Sequence, residues 1–334
     1  NTVSEDGGAI YNENGALGVS GSTFEGNNAT NGGAIYTSGT NSSVSGAFDN
    51  NFASGDGGAI YTVGALLSAS GTFTRNLALG NGGAIYNAGQ KLNATGTFAG
   101  NTAVSGNGGA VYNLTQASVG GIFQGNIAMT GNGGAVYNAG MVTLSGGFSD
   151  NLAEDGAVLY NTGSADLLNF NIASNEANTG SIVTSVGANA DLYLNNGSFS
   201  DNTGVNLVTT DGHAALLTVT TAANHTTSSL VNAASLDLLN SSITGTTGDG
   251  SALIKATAAL QIANSIVVGN SAADTAVDAT GAVKFYTAYS IFSGNAAQLA
   301  NASVNVENLT GNSFATVFGS AQLNAFGQLV IPDD

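Results

Sequence analysis

The chemical inventory of this 334-residue chain is short: two histidines, His213 and His225, 21 carboxylates, and four cations, Arg75, Lys91, Lys255 and Lys284. Asp211 and His213 place a carboxylate and an imidazole one residue apart, the ingredients of general acid–base work. Hydrolysis of a glycosidic bond needs two carboxyls about 5 to 9.5 Å apart, and no paired Asp motif or basic neighbour accompanies Asp211-Gly212-His213. Two histidines without any cysteine are too few for a structural zinc site, so both are expected in solvent-facing loops. The chain is therefore expected to be non-enzymatic and to carry no cofactor. Ca²⁺ is the one ion the acidic residues raise. Asp49, Asp150 and Asp201 lie between a recurring Phe and a recurring Asn, and Asp6, Asp56 and Asp155 precede a recurring glycine. Carboxylates stacked on adjacent repeats could hold Ca²⁺ together with carbonyl oxygens. Most copies carry Gly or Asn there instead, which points to isolated turn carboxylates.

The elements that must position these groups follow from a repeat. GGA[IV]Y begins at Gly7, Gly32, Gly57, Gly82, Gly108 and Gly133, at intervals of 25 or 26, and a degraded copy, GAVLY, follows at Gly156. FxxN keeps the same period, with Phe24, Phe48, Phe73, Phe98, Phe123 and Phe148 followed by Asn27, Asn51, Asn76, Asn101, Asn126 and Asn151. Between them the pattern alternates, as in Leu67, Ala69, Gly71 and Phe73 against Ser68, Ser70 and Thr72. That is a strand with one buried face. Segments this short, bounded by Gly and Asn, read as about three strands per repeat joined by turns that admit positive φ.

A coil of about 25 residues cannot bury its own apolar face, so neighbouring coils must stack. The expected fold is an all-β parallel solenoid of about 13 coils, one continuous body over 1–334. Stacking turns the Phe series into an interior aromatic ladder and the Asn series into a side-chain amide ladder at a turn. In GGA[IV]Y the aliphatic residue points inward, which turns Tyr11, Tyr36, Tyr61, Tyr86, Tyr112, Tyr137 and Tyr160 outward as an exposed stripe. Alternation alone leaves open a second interior ladder with locally bonded hydroxyls.

Residues 1–160 carry the regular repeats and 161–320 are read as degenerate coils, with Phe199, Val267 and Phe292 as equivalents of the Phe series. Residues 321–334, which hold the single proline, Pro332, read as a cap or tail. Asn1 aligns with Asn101 in mid-coil, so either earlier coils precede it or another molecule, including a second copy end to end, covers that edge.

Composition excludes several classes. Only 7% of residues are charged, against about a quarter in ordinary globular domains, yet no stretch approaches the roughly 18 apolar residues of a spanning helix. Ser, Thr, Asn and Gly must cover the surface, as suits an extracellular chain. A net charge of −17 argues against nucleic acid as a partner.

The tandem pairing of GGA[ILV] with FxxN resembles the chlamydial polymorphic outer membrane proteins and related autotransporter passenger domains, well over about residues 1–160 and weakly beyond. The resemblance implies a right-handed parallel β-helix displayed on a bacterial surface, serving adhesion to a host-cell or glycan ligand. Asp211-Gly212-His213 also resembles a fragment of the polygalacturonase pattern, which leaves a polysaccharide-degrading enzyme as an outside alternative. A filament subunit stacked end to end is the structural one.

Overall fold

The computed structural model describes residues 1–187, 191–248, 252–268 and 270, with the strands Thr275–Asp278, Lys284–Ala288, Ile291–Phe292, Gln322–Leu323 and Leu329–Val330. Among the described residues there is no helix, and the fold is a parallel β-solenoid. Ten two-residue strands, from Asn28–Ala29 to Thr247–Gly248, mark about ten turns, fewer than the 13 expected. Within the stretch expected to be a cap or tail, Gln322–Leu323 and Leu329–Val330 pair antiparallel. Pro332 lies outside the described residues.

The chain divides into two compact units. The first comprises Asn1–Asp166 and Asn175–Thr184. Each of its coils supplies a three-residue strand, a strand of eight or nine residues and a two-residue strand, as in Ile60–Thr62, Leu66–Thr74 and Leu77–Ala78. Each strand pairs in parallel with its equivalent one coil away, so Ile60 faces Ile85 and Phe48, Phe73 and Phe98 face one another in turn. Parallel pairing in constant register is what places like residues over like.

The interior holds Ala59, Ile60, Leu67, Ala69, Phe73 and Ala78 of one coil and their equivalents in the next. Phenylalanine rings stack from Phe24 to Phe148 at 4.7–4.9 Å between centroids. Burial of one such side chain contributes about 1.5–3 kcal/mol. The glycine pair has two separate jobs. Gly57 and Gly82 turn the chain at φ 68° and 64°, where an L side chain is strained. At Gly58 and Gly83, which follow them, a Cβ would overlap the next coil's glycine carbonyl.

The second unit comprises Leu167–Ser174 and Ser185–Asp334. Its register aligns Phe199, Thr221, Ile243, Val267 and Phe292, so the expected equivalence of Phe199, Val267 and Phe292 is met with Thr221 and Ile243 between them. Coil length falls to 22 residues between Asn202 and Asn224. Phe170 meets Phe199 edge-on, at 70°, and the ring stack of the first unit has no counterpart among these described coils.

Candidate functional site

Three columns of hydrogen-bonding side chains fix the first unit and thereby decide what its outer surface can present. In the FxxN column, the backbone N–H and Nδ2 of Asn76 donate to Asn101 Oδ1 at 3.1 and 3.0 Å. Asn101 Nδ2 in turn donates to Phe73 O at 2.8 Å and to Asn126 Oδ1 at 2.9 Å. Each fully buried amide thus bridges three coils, and the column runs on from Asn27 and Asn51 through Asn151 to Asn175. In the second unit Asn202 donates to Asn224 in the same way, and Ser241 and Ser265 take over beyond it.

A second column occupies the corner before the glycine pair: Asp6, Asn31, Asp56, Asn81, Asn107 and Asn132. Its polarity is reversed, because here each side-chain oxygen accepts from the following coil. Asn31 donates its N–H and Nδ2 to Asp6 Oδ1, both at 3.0 Å. Asp56 receives the N–H and Nδ2 of Asn81 at 2.6 and 3.0 Å. Asn31 separates Asp6 from Asp56, so no two carboxylates sit on adjacent coils there. Asp155 accepts from the N–H groups of Gly156 and Ser181 and from the Thr184 hydroxyl.

The third column lies just after the tyrosines. Asn87, Asn113, Asn138 and Asn161 link through Nδ2-to-Oδ1 bonds of 2.7 Å, all buried, and Asn12 reaches Thr37 at 2.9 Å. Its mixed Asn and Thr identities concealed it in the sequence. The signal that could have found it is the YN or YT dipeptide at the coil period.

Between the second and third columns, the aliphatic residues Ile35, Ile60, Ile85, Val111 and Val136 are fully buried and the tyrosines face out. Neighbouring tyrosine rings from Tyr11 to Tyr160 stack with centroids 4.7–5.5 Å apart and planes within 10°. Tyr11 is 56% exposed, and those from Tyr36 to Tyr160 are partly exposed. Because each ring covers its neighbour's face, the row offers ring edges and hydroxyls to solvent. Partial burial pushes the Tyr86 hydroxyl up to about 12, helped by Tyr61 and Asp56, and raises those of Tyr36, Tyr61 and Tyr112 for the same leading reason. These four are therefore neutral phenols at neutral pH.

The other sequence candidates are dispersed. Asp49 pairs with Arg75 at 2.5 Å and accepts from the Thr74 hydroxyl at 2.7 Å, and that hydroxyl foremost lowers its carboxyl from the ordinary range. Asp150 and Asp201 occupy left-handed turn positions at φ 57° and 54°. Among the described residues no three His, Asp or Glu side chains group so as to hold a metal ion. His213 Nε2 lies 3.2 Å from Asp237 Oδ2, and Asp211 accepts from the Gly187 N–H. The structure does not join His213 and Asp211 by a hydrogen bond. His225 contacts Thr247 at 3.1 Å. No helix among the described residues is long and apolar enough to cross a membrane.

No curated protein and no solved structure matches the chain. The sequence pattern of the Chlamydia polymorphic membrane protein repeat matches four segments, residues 21–38, 45–63, 70–88 and 95–114. Each matched segment runs through the FxxN column and the glycine corner and ends at or just after a tyrosine of the outer row. The chain carries tandem repeats of the Chlamydia polymorphic membrane protein type, folded as a parallel β-solenoid.

Proposed function

We propose that this chain is a non-enzymatic surface protein that presents the outer faces of its coils for adhesion at the bacterial cell surface. The repeat type supports exposure at that surface, and the division of labour within each coil supports display. Side chains that hold the coils together mostly point inward or into the three columns, which leaves the tyrosine row and the Ser- and Thr-rich outer face of the long strands facing out. The observation that carries the reading is the tyrosine row itself. It holds seven aromatic residues in line, from Tyr11 to Tyr160, where solvation alone requires none. Tyrosine is enriched in protein interfaces because its ring is apolar and its tip polar. With a net charge of −17, electrostatics favours a neutral or cationic partner over sulfated or other polyanionic chains.

The test is binding of the purified, fluorescently labelled chain to cultured host cells, compared with a variant in which Tyr61, Tyr86 and Tyr112 are replaced by Ser. Saturable binding that the triple substitution weakens at least tenfold, with unchanged far-ultraviolet circular dichroism, is the expected result. Equal binding by both proteins would remove the tyrosine row from the function. Absence of binding by either would remove adhesion.

A further inference from the structure

We propose that the tyrosine row is a site of oxidative cross-linking, in which a peroxidase and hydrogen peroxide join tyrosines of adjacent coils as dityrosine and staple the solenoid covalently. The chain has no cysteine, so no disulfide can perform this task. Geometry supplies what coupling needs. Tyr61 and Tyr86 hold their rings 4.7 Å apart and within 4° of parallel, and Tyr86 and Tyr112 stand 5.1 Å apart at 4°. Parallel rings at this separation bring together the π faces that carry radical density at the ortho carbons, and the tyrosines from Tyr36 to Tyr160 are partly exposed. By contrast, the Phe row is equally well stacked but is fully buried and has no hydroxyl to lose hydrogen.

The reaction balances as follows. Each of two phenols loses one hydrogen atom to the oxidant, giving two tyrosyl radicals, while one hydrogen peroxide is reduced to two waters. The radicals form one carbon–carbon bond between ortho positions. The two ring hydrogens at those carbons then move to the oxygens and restore both phenols, so the protein has lost two hydrogens in all. Partly exposed hydroxyls leave water as the proton acceptor. The unpaired electron can also pass between stacked rings, so oxidation at the more exposed Tyr11 can be followed by coupling deeper in the row.

The distribution of cations makes the products readable. Tryptic cleavage of the denatured chain after Arg75 and Lys91 releases residues 76–91 as a peptide whose single tyrosine is Tyr86, while Tyr61 stays in 1–75 and Tyr112 in 92–255. The native chain is treated with horseradish peroxidase and hydrogen peroxide, denatured, digested and analysed by mass spectrometry and dityrosine fluorescence. Expected is a protein that still migrates as a monomer before digestion, with 76–91 attached to 1–75 or 92–255 and two hydrogens lost per link. Tyr86→Phe keeps the ring stack and must abolish the attachment of 76–91. Peptide 76–91 left free while added N-acetyltyrosine couples in the same vial would overturn the proposal. So would links that appear only between chains, or that form as well after prior unfolding in urea. Because no host ligand enters this assay, it fails or succeeds independently of adhesion.

Discussion

Replacing Asn101 by Asp exchanges one atom pair, an amide NH₂ for a carboxylate oxygen, in the middle of the FxxN column. Asn101 is fully buried. Aspartate keeps the oxygen that receives both donors of Asn76, but it loses the donor to Phe73 O at 2.8 Å and to Asn126 Oδ1 at 2.9 Å. A charged oxygen then faces two other oxygens without water between them. Burial and that contact raise its pKa, by about three units for a fully buried carboxyl, or about 4 kcal/mol of stability at pH 7. The lost hydrogen bonds add about 1–3 kcal/mol. The sign of the pH dependence follows. A folded-state value near 7 lies above the unfolded value near 3.9, so the folded variant binds the extra proton. Its stability is best below about pH 4, falls as pH rises to about 7, and levels beyond. Asn101→Ala leaves the same carbonyl and the Asn76 donors unpaired and loses about 2–6 kcal/mol with no such pH dependence. Urea unfolding followed by circular dichroism across pH 3.5–8 measures both, and hydrogen exchange on the adjoining coils shows whether the defect stays local, as nearest-neighbour stacking requires. An Asn101→Asp protein as stable as the parent at pH 7, or one that loses stability toward acid in parallel with it, would refute the bridging role of the amide.

Three further outcomes are expected. At Gly96 (φ 143°) a Cβ would overlap the Gly71 carbonyl, whereas at Gly147 it would meet nothing within 4 Å, so Gly96→Ala should lower the thermal midpoint while Gly147→Ala keeps the stability within about 0.5 kcal/mol of the parent. Spectrophotometric titration should show Tyr36, Tyr61 and Tyr112 ionising later than the ordinary value of about 10, with Tyr86 near 12. The folded-state pKa is the raised one, so the stability it contributes is intact below pH 10 and lost as pH climbs toward 12. All tyrosines ionising together near 10 in a folded chain would contradict the packing. Finally, Gly82 and Gly108 tie up their N–H groups on Asn107 O and Asn132 O, both at 2.9 Å, and those nitrogens are the ones that must attack Asn81 and Asn107 for deamidation. The Gly15 N–H is also bonded, but only to Glu13 O two residues back within an exposed turn, whereas the corner bonds join neighbouring coils; mass spectrometry of aged protein should therefore find Asn14-Gly15 modified at least roughly tenfold faster than Asn81-Gly82, consistent with a local opening cost above 1.4 kcal/mol at the corner.

The repeated Phe and Asn were legible because a ladder between identical side chains favours the same residue at every step, and Phe24 through Phe148 and Asn27 through Asn151 never vary. The corner and post-tyrosine columns were not, since an oxygen acceptor is all that some rungs require: Asp6, Asn31 and Asp56 serve one column, Asn12, Thr37 and Asn87 the other. Whether Tyr61 lay inside could not be read from a strand of three residues with an apolar residue on each parity. The structure resolves it, with Ala59 and Ile60 fully buried and Tyr61 partly exposed. In the second unit Thr221 and Ile243 fill the position of Phe199, so the register survives there by backbone pairing after the motif has gone.

The coil-to-coil register is tested most directly by paired cysteines, which this cysteine-free chain allows without background. Thr72 faces Thr97, and Thr97 faces Ile122, with paired strands about 4.7–4.9 Å apart, within the 4.4–6.8 Å span of a disulfide. Thr72 and Ile122 are two strands apart, beyond the roughly 7 Å limit. Under mild oxidation the 72/97 and 97/122 double-cysteine variants should close intramolecular disulfides and the 72/122 variant should not. Closure of 72/122 as readily as 72/97 would contradict the stacked register.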